Sequence, residues 1–154
     1  MKSLPIKFVQ KGWGWESWIA NNDQYCGKLL FFKKGKRCSF HYHKKKHETF
    51  YVQGGRLLVV YSPNDCLSPS GEQVNVGFSS DLRYPDQHFP LLYWTTPQPI
   101  VGDNVANRCI LEPGDVFEVP VGLRHAMYGL LDTEMFEFST HHEDEDSYRI
   151  LKGD

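Results

Sequence analysis

From Tyr25 onward the chain is a succession of short segments rich in aromatic and β-branched residues, cut at regular intervals by turn formers, with no long helical period. GKLLFFKK, CSFHYH, TFYVQ, RLLVVYS, VFEVP, HAMYGLL and EMFEFST read as strands. The intervening KKGKR, KKKH, GG, EPGD, VGLR and LDT read as turns. Short strands of this kind bury their apolar faces by stacking sheets or by closing one on itself, so a small all-β sandwich or barrel is expected. The 154 residues fit a single domain over 1–154 with one core. Ahead of these strands, KGWGWESWI places three Trp within six residues. A turn of helix and an edge strand covering an open end of the barrel are both compatible with it.

Residues 62–108 break the rhythm and carry most of the prolines, so they are expected to form a long insertion loop. With an aromatic cluster of Tyr84, Phe89, Tyr93 and Trp94, the loop reads either as a cover for a site or subunit interface, or as a surface insertion with its own apolar anchor.

Composition excludes several function classes. A net charge of −2 provides no field for capturing phosphodiesters, so no nucleic-acid partner is expected. Nothing approaches the roughly 18 apolar residues of a membrane helix, so no membrane partner is expected either. Cys26, Cys38, Cys66 and Cys109 are widely spaced and form no Cys-x-x-Cys pair, which reads as reduced, buried thiols. The N-terminal MKSLPIKFVQKGWGW has no continuous apolar run, and a cytoplasmic protein is the expectation.

The chemistry concentrates in a few side chains. His41 and His43 sit at i and i+2 of a strand segment and so share a face. After the turn KKKH, Glu48 opens the next strand segment and is expected to return on the antiparallel neighbour, facing the same pocket. His125 follows Pro120-Val-Gly122-Leu-Arg, where Pro fixes φ and Gly accepts a positive φ, so the chain can reverse and present another imidazole. Three imidazoles and one carboxylate beside turns that aim them inward suit one divalent metal ion better than an apolar core, which would bury polar groups at a cost. The donor set accepts zinc, manganese, iron, cobalt or nickel.

Gly35-x5-His41-x-His43-x4-Glu48-x6-Gly55 resembles the first motif of the cupins at every fixed position. Gly114-x5-Pro120-x-Gly122-x2-His125 is similar to their second motif, departing only where Gly129 stands in place of the usual Asn. The resemblance implies a double-stranded antiparallel β-helix, the jelly-roll barrel, with His41, His43, Glu48 and His125 as metal ligands inside one end. The flanks, Trp13-Gly14-Trp15-Glu16, Glu137-Phe138-Ser139 and Asp146-Ser147-Tyr148-Arg149, more narrowly resemble cupin sugar isomerases. Among these are the C-terminal domain of bifunctional mannose-6-phosphate isomerases and D-lyxose isomerases. Lys46 matches a basic residue those families carry two positions before the metal-binding Glu.

That resemblance implies an aldose–ketose isomerase acting on a free or phosphorylated sugar, whose carbonyl and neighbouring hydroxyl take two adjacent metal positions as an enediolate develops. Glu137 is the expected base and Lys46 the proton donor or electrostatic partner. Strand parity puts Met135, Glu137 and Ser139 of EMFEFST on one face, pocket or solvent, and the family resemblance favours the pocket. An iron-dependent dioxygenase or a non-catalytic sugar-binding cupin are the competing functions. The expected partners are a small carbohydrate or sugar phosphate and, by analogy with other cupins, a second copy of the chain in a homodimer. The lysines of KKGKR and KKKH read as solvated rather than as a phosphate rim, and His141-His142-Glu143-Asp144-Glu145-Asp146 as an exposed charged segment.

Overall fold

A computed structural model describes residues 5–62, 77–78 and 105–154, with only the backbone described for 77–78 and 105–108. Two six-stranded sheets face each other. The first runs in the order β1 (Lys7–Lys11), β2 (Gly14–Asn21), β3 (Cys26–Phe32), β11 (Thr133–Ser139), β5 (Glu48–Gly54), β9 (Val116–Val119). The second runs β12 (Tyr148–Leu151), β4 (Phe40–Tyr42), β10 (Arg124–Gly129), β6 (Leu57–Ser62), β8 (Val105–Leu111), β7 (Gly77–Phe78). Pairings are antiparallel except β7 with β8. The jelly-roll expectation therefore holds. The Trp-rich N-terminus is not a helical turn but the hairpin β1–β2 at the edge of the first sheet, whose Trp13 stacks on Phe32 at 4.2 Å.

The insertion is shorter at both ends than 62–108, because Ser62 ends β6 and Val105–Arg108 lie in β8. Cys66 and the cluster Tyr84, Phe89, Tyr93 and Trp94 lie outside the described residues. Cys26, Cys38 and Cys109 are free thiols; the first two are buried and Cys109 is half-buried. Among the described residues no helix is long and apolar enough to cross a membrane.

The inner face of the first sheet changes character along each strand. In β3 the inward residues are Cys26, Lys28, Leu30 and Phe32; in β11 Thr133, Met135 and Glu137; in β5 Glu48, Phe50 and Val52. Register aligns Met135 with Leu30 and Val52, and Glu137 with Lys28 and Phe50. A period of two thus places an apolar layer toward one end and a charged layer toward the other. Phe32, Phe40, Phe50, Val52 and Met135 are fully buried, and each such side chain contributes on the order of 1.5–3 kcal/mol. The charged layer lines a cavity of about 500 Å³ that residues of β1, β2 and the C-terminal segment also line.

Glycine is required where strands return tightly. At Gly55 (φ +88°) a Cβ would lie 2.2 Å from Asp132 O. Gly129, where the motif resemblance broke, exchanges hydrogen bonds with Gly35 and Lys36, and a Cβ there would lie 2.7 Å from Lys33 O. The departure from Asn thus sits where the backbone leaves no room for a side chain.

Candidate functional site

His41 lies on β4 and His125 on β10, and the two are direct cross-strand partners, so their rings reach the cavity side by side at 4.5 Å. His43 follows β4 with its side chain 3% exposed. Its carbonyl accepts a hydrogen bond from Gly122 N at 2.8 Å, which docks the Pro120–Arg124 turn against it. Gly122 has φ +86°, the left-handed conformation expected of it. Glu48 differs from expectation in its route. β4 and β5 belong to different sheets, so KKKH crosses from one sheet to the other and Glu48 faces the histidines across the cavity instead of on an adjacent paired strand.

Each imidazole is held through Nδ1 by a backbone oxygen. His41 Nδ1 donates to Ser39 O at 2.8 Å, His43 Nδ1 to Asp146 O at 2.7 Å and His125 Nδ1 to Leu123 O at 3.0 Å. A carbonyl can only accept, so each ring carries a proton on Nδ1 and turns Nε2 away from that carbonyl. Burial, with the neighbouring imidazoles, keeps His41 well below the ordinary histidine range. His43 is also lowered by burial and by Lys46, against the pull of Glu48.

The ligand atoms of His41, His43 and His125 lie within 4.8 Å of one another. Glu48 Oε2 stands 3.5 Å from His43 Nε2 and 3.3 Å from His125 Nε2. Burial pushes the Glu48 carboxyl up, but Lys46 and His125 outweigh it and hold it well below the usual carboxylate range. Among the described residues His43 Nε2, His125 Nε2 and Glu48 Oε2 are buried with no hydrogen-bond partner, the two nitrogens 3.5 and 3.3 Å from the one oxygen. A cation among them resolves that contact. These residues fit the divalent ion that the donor chemistry calls for.

The other side of the cavity is an ion-paired wall. Lys46, 3% exposed, reaches Glu48 Oε1 at 2.5 Å and Glu137 Oε1 at 2.9 Å. Burial works against the Lys46 charge, yet the two carboxylates raise it above the usual lysine range. Glu137, 5% exposed, points inward, resolving its strand parity toward the cavity, while Phe138 beside it is 55% exposed. Burial raises its carboxyl, and the ammonium groups of Lys46 and Lys28 bring it below the ordinary value. The structure thus brings His41, His43, Glu48, His125, Lys46 and Glu137 around one cavity.

Four further residues belong here that sequence reasoning did not single out for the site. Lys28, 2% exposed, lies 3.5 Å from Glu137 Oε1 and 3.9 Å from Glu16 Oε2. Glu16 Oε2 also accepts from Trp18 Nε1 at 2.8 Å. The parity of Lys28 with Leu30 and Phe32 was the available signal. His142 faces both lysines, with Nδ1 3.2 Å from Lys28 Nζ and 3.3 Å from Lys46 Nζ. Asp146 is 4% exposed. The exposed charged segment expected over His141–Asp146 is therefore corrected: Asp144 and Glu145 are exposed, but His142 lines the cavity and Asp146 is buried. KKKH divides likewise, with Lys44 and Lys45 exposed and Lys46 buried.

A family profile described as Cupin matches residues 29–152. A search of curated protein sequences finds no match. Among solved structures the chain is similar to KdgF from Halomonas sp., with 16% identity and TM-score 0.53 over 85% of this chain and 81% of that one. It is also similar to the capsular polysaccharide assembling protein CapF from Staphylococcus aureus, with 17% identity and TM-score 0.62 over 97% of this chain and 35% of that one. Oxalate decarboxylase from Lactobacillus farciminis, in its formate complex, is similar at 13% identity and TM-score 0.57 over 94% and 34%. The chain spans about a third of the length of the latter two. At these identities the likeness concerns the fold.

Proposed function

The chain belongs to the cupin family, and from that premise we propose that it is a metal-dependent aldose–ketose isomerase of free or phosphorylated sugars, with one divalent ion held by His41, His43, Glu48 and His125. The observation that carries this reading is the buried Glu137–Lys46 pair, 2.9 Å apart, abutting Glu48 in the cavity that the histidines share. When bound, the ion polarises the sugar carbonyl and its neighbouring hydroxyl.

Isomerisation moves one proton between adjacent carbons. Glu137, ionised beside two lysines, is the base that takes the proton from the carbon next to the carbonyl and returns it to the former carbonyl carbon. Lys46 presents an ammonium to the oxygen on which negative charge develops, and the proton lost by the hydroxyl is regained at the other oxygen, so no oxidant is consumed. A base fixed within hydrogen-bond reach of its partner contributes typically about 10²–10⁴ in rate. A carbohydrate ligand is in keeping with the fold's likeness to a capsular polysaccharide assembling protein.

The test is anaerobic incubation of the metal-reconstituted protein in deuterated water with a panel of free and phosphorylated aldoses and ketoses. Aldose–ketose exchange with deuterium entering C1 or C2 is the expected result. Absence of exchange with every sugar, coupled with oxygen consumption by the iron-loaded protein in air, would replace isomerisation by oxygenation.

A further inference from the structure

The segment His142–Asp146 has no role in the proposed proton transfer, yet it reaches the site from behind at two points. Its 3-10 turn, Asp144–Asp146, buries the last of three consecutive acidic residues. The carboxylate of Asp146 accepts three backbone N–H groups in succession, from Lys44 at 2.9 Å, Lys45 at 3.1 Å and Lys46 at 2.9 Å. The carbonyl of the same residue takes the Nδ1 proton of His43 at 2.7 Å. One residue thus fixes the turn that carries the chain from His43 to Glu48 and also the tautomer and ring orientation of His43. Immediately after it, β12 pairs with β4 and holds the histidine-bearing strand from the side opposite β10.

Charge-assisted bonds to three N–H groups stabilise a turn that otherwise places three like charges, Lys44–Lys46, in a row. A solvated acidic run would supply none of this, and the depth of Asp146 has no other explanation among the described contacts. Orientation by a group behind the ligand matters because a ring free to rotate about χ2 presents Nε2 to a metal only part of the time.

We infer that Asp146 is a positioning residue for the metal site: through its carboxylate and its carbonyl it holds His43 and the Lys44–Lys46 turn in the arrangement that binds the ion. This rests on the metal-centre reading above. Removing the carboxylate leaves all four proposed ligands in the sequence, and the weakening of metal binding is expected to be about 10- to 100-fold.

The experiment titrates Co²⁺ into the metal-free full chain and its Asp146→Ala and Asp146→Asn variants by calorimetry. In parallel, the His43 Nδ1 proton is followed in metal-free, nitrogen-15-labelled protein. Thr133→Val is the control, since Thr133 is buried at the opposite end of β11 from Ser139 and its hydroxyl bonds Arg56 and Leu131. Asp146→Ala is expected to weaken Co²⁺ binding by about 10- to 100-fold and to speed exchange of the His43 Nδ1 proton with solvent. Asp146→Asn keeps an acceptor oxygen and the volume, and is expected to lose less. Thr133→Val lowers stability with the affinity unchanged.

Wild-type affinity in both Asp146 variants would overturn the inference, as would an equal loss in Thr133→Val. If the wild type binds no Co²⁺ while Asp146→Ala still frees the His43 proton, the metal reading fails and the positioning of His43 by Asp146 stands. If Co²⁺ binds all forms alike, the positioning role fails and the metal reading stands.

Discussion

The two sides of the cavity are built from similar numbers of ionisable groups but treat them differently. On the histidine side, His43 Nε2, His125 Nε2 and Glu48 Oε2 face one another with no hydrogen-bond partner among the described residues. On the lysine side, Lys28, Lys46, Glu137, Glu16 and His142 contact one another within 3.9 Å. Buried polar atoms left without partners carry a desolvation penalty of about 1–3 kcal/mol each, which a cation held among them would offset. The lysine side is self-sufficient, since its charges cancel pairwise and persist without a ligand. Glu48 joins the two, with one oxygen toward the imidazoles and the other on Lys46. An ion at the histidines would therefore compete with Lys46 for Glu48, coupling the occupancy of one side to the charge balance of the other.

The sharpest way to break this comparison is Glu137→Gln. If the lysine side performs proton transfer and the histidine side binds the ion, turnover falls by about 10²–10⁴ while metal stoichiometry is retained. Full activity would remove Glu137 from the mechanism. Next in size is Lys28→Met, which strips Glu137 of one buried ammonium. Breaking such a buried pair costs about 3–5 kcal/mol, read as a lower urea midpoint. A stability loss below 1 kcal/mol would show that the pair is not desolvated as described.

Acid separates the buried histidines from the carboxylates by stage in the metal-free protein. His41, His43, Glu48 and Glu137 are all held below their ordinary values. For each, the folded state binds its proton less readily than the unfolded chain, so the stability it contributes is complete above the unfolded pKa and is lost as pH falls toward the folded one. The histidines begin to withdraw stability below about pH 6.5 and the carboxylates below about pH 4.3. Urea midpoints measured from pH 8 down to pH 4 should fall in that order; a flat profile between pH 7 and pH 5 would contradict the neutral, buried histidines. The smallest effect is expected from Lys45→Ala. Its exposed ion pair with Glu143, at 2.8 Å, neighbours the site yet contributes nothing to either side, and thermal midpoint and metal affinity should stay where they are.

Much of the histidine side was legible in the sequence. The i, i+2 rule aligns His41 and His43, and Pro120 and Gly122 mark the reversal before His125. Glu48 reaches the same place by a sheet crossing where a hairpin was expected, because local spacing fixes which face a side chain takes but not which sheet the next strand joins. The lysine side was harder to read. A lysine within CGKLLFF looks like a solvent-facing residue until the inward parity of Leu30 and Phe32 is extended to it, and Glu16 follows only from the β2–β3 register. His142 and Asp146 carried no local signal at all. A run of six acidic and imidazole groups has the composition of a solvated surface, and its burial is produced by backbone N–H groups about a hundred residues away in sequence.

The most direct test is the metal content of the wild-type chain and His43→Ala after reconstitution with Co²⁺. The account predicts one equivalent per chain in the wild type and none retained in the variant. A full equivalent in His43→Ala would contradict the assignment of the histidine side as the metal centre.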